Sequence, residues 1–334
     1  MKQQLLITLL HIFCVTTVSA AHSGWLLFGG VDAIGYNIAQ LSFQQGKKIS
    51  IIYDEQEQAV YDRYYKENPL VVPYDRSIPQ PSAPEEVKYI YISVDNYPNI
   101  STQEYLARID FVIKMAQAHN ALIIMPLSVE LFGNYGTITE KSAPLPTSEY
   151  GLHLLSCQKH LEMQAQEKNC RIRTLRHNKL FGPGSRSTLI TFNIERLITN
   201  NPCSWISRSD IPQQLSFAPD VARFILEYIK YAPKMKMNTF NIGGIIYPSL
   251  KNFGKRIAEI LGKKYQEILY TPTEFFFYHM FNDTLHTTID TSYTHKQTII
   301  LNDEIRQTLF PLFSLTGMRE AVEETVSWHL MQKG

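Results

Sequence analysis

Residues 24–54 read GWLLFGGVDAIGYNIAQLSFQQGKKISIIYD, and this stretch decides which fold to expect. An apolar run, Trp25 to Phe28, leads into a glycine-rich turn that ends at Gly35, and apolar residues then recur at helical spacing. A second apolar run, Ile49 to Tyr53, ends at Asp54. Strand, glycine turn, helix, strand and acid in this order indicate a βαβ unit with the layout of a dinucleotide site.

The residues of this unit predict how a dinucleotide is held. Gly29, Gly30 and Gly35 let backbone N–H groups approach a diphosphate at the positive N-terminus of a helix. Asp54 stands 19 residues after Gly35, where its carboxylate would bind the ribose hydroxyls of NAD and repel the 2′-phosphate of NADP. NAD is therefore the expected cofactor. Asp32 argues against a bound dinucleotide, because a carboxylate in the turn repels phosphates unless it points outward.

The alternation of strand and helix continues along the chain. Apolar runs at 70–72, 89–94, 122–125 and 172–175 predict strands, and residues 103–118 have helical periodicity. This order indicates the α/β class, as a Rossmann-type doubly wound parallel sheet with a smaller C-terminal substrate lobe. We place the dinucleotide-binding core at 24–182 and the substrate lobe at 183–334, with 218–262 returning to the sheet.

Composition argues against several classes of partner. The 334 residues are 44% hydrophobic, carry a net charge of +1 and contain no run of five or more basic residues. A small-molecule substrate is therefore expected, and nucleic acid or an anionic membrane surface is not. The four cysteines form no CxxC pair, which argues against a zinc site. A disulfide among Cys157, Cys170 and Cys203 is left open, although three buried thiols are the simpler expectation.

Residues 1–20 have the layout of a secretory signal peptide. Lys2 precedes an apolar stretch from Leu5 to Val18, and the tripeptide Val18-Ser19-Ala20 precedes the expected cut. Cleavage after Ala20 would export the protein to the periplasm or out of the cell. An uncleaved anchor and a cytoplasmic protein with a misassigned start remain alternatives.

Several motifs follow one another in a fixed order along the chain. They are the glycine turn 28–35, Ser128 five residues before Gly133, Tyr150 at a helix start, LRHNKLFGPG at 175–184, DVA at 220–222, FNIGG at 240–244 and a closing helix from Gly317. In type and order they resemble the extended short-chain dehydrogenase/reductases, also called NAD-dependent epimerase/dehydratases. The resemblance covers nearly the whole chain after residue 24.

The resemblance implies a reaction and residues for it. Tyr150 is implied to be the general acid/base for a sugar or alcohol hydroxyl, with Ser128 sharing the same substrate oxygen. Asp75 is implied to lie near the adenine amino group, and Asn178 and Lys179 to lie in the substrate loop. The implied substrate is a nucleotide sugar or a similar hydroxyl compound, and the implied assembly is a homodimer.

The sequence departs from the family on its catalytic helix. The family's lysine, four residues after the tyrosine, is replaced by Leu154, and Lys159 falls on the opposite side of the helix. Without that lysine the phenol of Tyr150 is expected to stay protonated at neutral pH, so that turnover is weak or absent. His153, or a basic side chain from another loop, remains a candidate to replace the missing lysine.

Two further departures concern the ligand sites. Asp32 replaces the middle glycine of the turn, and Lys179 replaces the family's asparagine in the substrate loop. Two functions therefore stay open. One is an NAD(P)-binding epimerase/dehydratase-like enzyme with an atypical active site. The other is a catalytically inactive Rossmann-fold protein that binds or scaffolds.

Overall fold

The computed structural model describes residues 22–53, 57–75, 87–94, 100–133, 136–186, 188–232, 235, 237–279 and 290–332. The predicted signal peptide and Asp54 lie outside these ranges. Within them, no helix is both long enough and apolar enough to cross a membrane. Cys157, Cys170 and Cys203 are free thiols, so the disulfide that the sequence left open does not form.

The elements are numbered in chain order. The strands are β1 His22–Phe28, β2 Lys48–Tyr53, β3 Val71–Asp75, β4 Tyr89–Ile92, β5 Leu122–Ser128, β6 Thr137–Ile138, β7 Arg171–His177, β8 Lys179–Phe181, β9 Cys203–Ile206, β10 Gln213–Phe217, β11 Thr239–Asn241, β12 Ile245–Tyr247, β13 Glu267–Tyr270 and β14 Ile300–Leu301. The α-helices are α1 Ala33–Gln44, α2 Gln58–Tyr65, α3 Thr102–His119, α4 Glu149–Glu167, α5 Leu189–Ile198, α6 Ala218–Tyr231, α7 Leu250–Ile260, α8 Pro272–His279, α9 Glu304–Leu309 and α10 Met318–Met331.

Seven strands form one parallel sheet in the order β3-β2-β1-β4-β5-β7-β11. The chain winds outward from β1 in one direction and then, from β4 onward, in the other. The predicted Rossmann-type doubly wound sheet is therefore confirmed. In such sheets the point of reversal opens a crevice at the carboxyl ends of the strands, here beside β1 and β4, where ligands bind.

Both faces of the sheet are apolar because successive strand residues point to opposite sides. In β1, Leu26 and Phe28 pack into a cluster with α3 and α4, whereas Trp25 and Leu27 pack into a second cluster with α1 and α6. All four side chains are at most 2% exposed. A strand buried on both faces reads as a continuous apolar run, and this is why the run at 25–28 predicts a central strand.

A third apolar cluster forms the smaller lobe. It brings together the β8–β10–β12 sheet, the β9–β13 pair and the inner faces of α5, α7 and α10. Trp205 lies at its centre and is fully buried, with its indole N–H donating to the Tyr265 hydroxyl at 3.0 Å. The lobe adjoins the carboxyl edge of the large sheet, because β8 follows β7 after a single residue.

The segment that returns to the large sheet is shorter than the predicted 218–262. Helix α6 packs on the sheet and β11 pairs with β7, but β12 pairs with β10 in the smaller lobe. Phe253 and Ile257 of α7 are buried in the cluster of that lobe. The return therefore ends near residue 241, since the apolar face of α7 faces the lobe.

Candidate active site

The glycine turn between β1 and α1 brings backbone against backbone. Gly29 has a φ of +116°, and a Cβ there would lie 2.5 Å from the Cβ of Ser93. A Cβ on Gly35 would lie 2.4 Å from the carbonyl oxygen of Gly29 and 2.9 Å from the Cα of Gly30. The turn and the first residues of α1 therefore approach each other too closely for a side chain at Gly29 or Gly35.

Asp32 points into this turn rather than outward. It is the N-cap of α1, and its Oδ1 accepts a hydrogen bond from the backbone N–H of Gly35 at 2.8 Å. The hydroxyl of Tyr91 donates to the same carboxylate, at 2.9 and 3.0 Å from its two oxygens. A negative side chain thus occupies the positive end of α1, which is where a bound diphosphate would lie.

The structure brings together the segments that carry Ser128 and Tyr150. Ser128 ends β5 and is followed by a short 3-10 helix, Val129–Phe132, which packs on the first turn of α4. Tyr150 is the second residue of α4 and is 8% exposed. The approach is close, since a Cβ on Gly151 would lie 2.5 Å from the Glu130 carbonyl oxygen. Both predicted catalytic residues therefore lie at the carboxyl edge of the sheet.

Neither neighbour of Tyr150 on α4 supplies a cation to this edge. Leu154 is fully buried in the apolar cluster under the sheet. His153 donates from Nε2 to the carbonyl of Val94, and its Nδ1 is hydrogen-bonded to the hydroxyl of Thr102, each at 3.0 Å. These contacts join α4 to β4 and α3, so His153 is a packing residue rather than a substitute for the lysine.

Two groups of opposite charge, Glu130 and Lys179, are electrostatically coupled at this edge of the sheet. The Ser128 hydroxyl donates a hydrogen bond to the carboxylate of Glu130, and both residues are at most 6% exposed. Burial lowers the pKa of Lys179 to about 8, and the charge of Glu130 acts in the opposite direction. Sequence reasoning names Lys179 as a substrate residue and does not find Glu130, because no motif marks it.

Comparison with protein families identifies the central part of the chain. Residues 110–243 match the model described as the NAD dependent epimerase/dehydratase family. Over these residues the chain is similar to the NAD-dependent epimerase/dehydratases. The predicted resemblance is thereby confirmed over the segment that contains Ser128, Tyr150 and Lys179. No curated protein matches the sequence.

Solved structures of nucleotide-sugar epimerases and dehydratases share the fold of nearly the whole chain. UDP-glucuronic acid 4-epimerase from Bacillus cereus, in complex with NAD, has a TM-score of 0.69 at 15% identity, covering 93% of this chain and 99% of that one. dTDP-glucose 4,6-dehydratase from Bacillus anthracis, in complex with NAD, has a TM-score of 0.70 at 14% identity, covering 92% and 97%. UDP-glucose 4-epimerase from Thermotoga maritima, with UDP-glucose, has a TM-score of 0.69 at 15% identity, covering 93% and 99%.

The side chain of Asn178 is hydrogen-bonded within the protein. Its amide nitrogen donates to the Gln214 side chain and to the carbonyl of Ile299, both at 3.1 Å. Its side-chain oxygen accepts from the backbone N–H of Lys179 at 3.0 Å. Asn178 therefore joins β8 to β10 and to the chain before β14, and its predicted contact with substrate stays a prediction.

The adenosine end of the predicted site is described only in its backbone. Asp75 is the last residue of β3 and pairs in register with Tyr53 of β2. Its side chain, like the whole of Asp54, lies outside the described part of the structure. The roles of these two carboxylates toward the adenosine therefore stay predictions.

The glycine turn between β1 and α1 suits a dinucleotide diphosphate in its backbone but not in its charge. At Gly29, Gly30 and Gly35 the backbone packs too closely for a side chain, which is typical of the glycine turn of a dinucleotide site. The carboxylate of Asp32, however, already accepts the Gly35 N–H and would face the phosphates. A diphosphate therefore fits here only once that carboxylate has moved away from the helix end.

Gly35→Ala is expected to lower the free energy of unfolding by about 1–3 kcal/mol, because the added methyl overlaps the backbone of Gly29 and Gly30. Urea unfolding measures this change. Gly317→Ala is the matched control, since a Cβ there meets nothing within 4 Å and its φ is −61°. Equal stabilities of the two variants would contradict the close packing of the turn.

Proposed function

We propose that this chain is an NAD-binding, epimerase/dehydratase-like enzyme that acts on a hydroxyl group of a nucleotide sugar or a similar small molecule. The observation that carries the proposal is the juxtaposition of the Ser128 and Tyr150 segments at the carboxyl edge of the sheet. Similar solved structures, the epimerase and the dehydratase of the two Bacillus species, contain NAD, which supports the choice of cofactor.

Each residue of the proposed site has one task. NAD, when bound, supplies a carbon that can take a hydride from the substrate. The backbone of Gly29, Gly30 and Gly35 holds the diphosphate at the N-terminus of α1. Tyr150 and Ser128 bind the substrate oxygen, and one of the two hydroxyl groups takes its proton.

The first test is a calorimetric titration of the purified protein with NAD+ and with NADP+. We expect NAD+ to bind more tightly, because the carboxylate of Asp54 would repel a 2′-phosphate. Binding should also raise the free energy of unfolding, by about 2.7 kcal/mol at 100 times Kd. Asp54→Asn should narrow the difference between the two cofactors. Tighter binding of NADP+ would overturn the assignment of Asp54.

The second test is turnover. The protein with NAD+ is incubated with UDP-glucose, UDP-glucuronic acid and dTDP-glucose, and products are separated by chromatography. Tyr150→Phe is the matched variant, since it removes only the phenol oxygen. We expect slow conversion of one of these sugars that Tyr150→Phe abolishes.

An inactive binding or scaffolding protein is the alternative, and two observations favour it. Asp32 places a carboxylate at the diphosphate site, and Leu154 replaces the lysine of the catalytic helix. Failure to bind either cofactor, together with no conversion of any sugar, would support this alternative.

Export and dimer formation are proposals that rest on the sequence. If residues 1–20 are a signal peptide, N-terminal sequencing of the protein from its native host will begin at residue 21. A retained Met1 would contradict export. Light scattering of the purified protein tests the homodimer.

A further inference from the structure

We propose that Ser128, Glu130 and Lys179 form the proton-transfer unit of this site, in place of the lysine that is missing from α4. The inference rests on the function proposed above and adds two residues, Glu130 and Lys179, to its machinery. It starts from the hydrogen bond between Ser128 and Glu130 and from the position of Lys179 at the start of β8.

The hydrogen bond fixes what Ser128 can do. A serine hydroxyl has one proton to donate and lone pairs with which it accepts. Ser128 donates that proton to Glu130, so its oxygen is left to accept a hydrogen bond from a substrate hydroxyl. In this arrangement Ser128 is oriented to take a proton from substrate rather than to give one.

Burial explains why Glu130 needs a cation. Glu130 is 5% exposed, and an ionised carboxylate away from water is costly unless it is paired. Lys179 carries the opposite charge and is electrostatically coupled to it. Tyr293, whose hydroxyl donates to the Glu130 carbonyl at 3.3 Å, stays neutral because burial and then the charge of Glu130 raise its pKa. Lys179 therefore contributes a positive charge that offsets the charge of Glu130.

The structure also explains how Lys179 and Glu130 come to be neighbours. Ser128 and His177 face each other in register at the ends of β5 and β7. Glu130 follows Ser128 by two residues, and Lys179 follows His177 by two residues, so both chains leave the sheet at the same edge. Asn178, held by Gln214 and Ile299, fixes the start of β8 in this position.

In the oxidative direction, the substrate hydroxyl loses its proton to the protein. The O–H bond of the substrate hydroxyl breaks and its proton passes to the oxygen of Ser128, while the original Ser128 proton passes to Glu130. Glu130 changes from a carboxylate to a neutral acid. The electron pair left on the substrate oxygen forms the carbonyl, and NAD+, when bound, would supply the oxidant that takes the hydride from the same carbon.

The first experiment needs neither cofactor nor substrate. Heteronuclear NMR of the lysine amino groups, with the Lys179 signal assigned by its loss in Lys179→Arg, follows its titration. We expect a midpoint near pH 8 in the wild type. Glu130→Gln removes the charge that raises this pKa, so the midpoint should fall further. A midpoint at the ordinary lysine value, or one that Glu130→Gln leaves unchanged, overturns the proposal.

The second experiment measures the chemical step. For the sugar that turns over, Glu130→Gln should lower kcat about 10²–10⁴-fold with little change in KM, because glutamine keeps the size and the hydrogen bond but cannot take a proton. Lys179→Arg should retain more activity than Lys179→Met, since arginine keeps the positive charge. Wild-type kcat in Glu130→Gln, with NAD+ bound, overturns the proposal.

Different results would contradict the proposed function and the proton-transfer unit. If calorimetry detects no NAD+ binding to the wild type, the proposed function is wrong, whatever the titration of Lys179. A different result would contradict only the proton-transfer unit. In that result NAD+ binds and a sugar is converted, and Tyr150→Phe slows the reaction whereas Glu130→Gln does not. The proposed function would then be correct and the role of Glu130 and Lys179 wrong.

Discussion

Asp32→Gly is expected to increase the affinity for NAD+ by about 100- to 1,000-fold. The Asp32 carboxylate accepts the N–H of Gly35 at the positive end of α1, where the diphosphate of a dinucleotide would lie. Two like charges 4 Å apart repel by about 4 kcal/mol at an effective dielectric constant of 20, and each 1.4 kcal/mol is tenfold in affinity. Isothermal titration calorimetry of both proteins with NAD+ measures the change.

Asp32→Asn separates charge from shape in this comparison. Asparagine also serves as an N-cap and can still accept the hydrogen bond from Gly35, but it carries no charge. Its affinity for NAD+ should therefore lie between those of the wild type and Asp32→Gly. The advantage of both variants should shrink at high salt, which screens the repulsion. Weaker binding by Asp32→Gly would mean that the carboxylate itself contacts the cofactor.

Much of the large sheet could be predicted because local sequence determines it. The apolar runs at 25–28 and 122–125 are continuous and the run at 49–53 is broken only by Ser50, as expected of strands covered on both faces, and each lies in a strand of the parallel sheet. The glycines between β1 and α1 are required by contacts within a few residues of one another. Where the interactions are this local, the hydrophobic pattern and the spacing of the glycines are sufficient to predict the structure.

The candidate site was less predictable because its contacts join distant parts of the chain. Glu130 and Lys179 are 49 residues apart, and their proximity follows from the pairing of β5 with β7. The inward direction of Asp32 depends on Tyr91 of β4, which the turn sequence does not contain. The end of the segment that returns to the sheet likewise depends on the face to which α7 packs. These three features are determined by tertiary packing rather than by the local sequence.

Leu154→Lys, which restores the tyrosine–lysine spacing of the family, is expected to lower the free energy of unfolding by about 3–5 kcal/mol. Leu154 is 0% exposed and lies in the apolar cluster between the sheet and helices α3 and α4. An ammonium group there has lost its water and, in the cofactor-free protein, has gained no carboxylate in exchange. Urea unfolding of the variant without cofactor measures the loss.

Leu154→Met is the matched control for this substitution. Methionine keeps an apolar side chain of similar volume, so it should cost less than about 1.5 kcal/mol. The difference between the two variants then reports the buried charge rather than the altered shape. If Leu154→Lys instead remained as stable as Leu154→Met and increased turnover of a nucleotide sugar, the lysine would have reached the cofactor side of α4. Proton transfer would then depend on Tyr150, and the role we assign to Glu130 and Lys179 would be unnecessary.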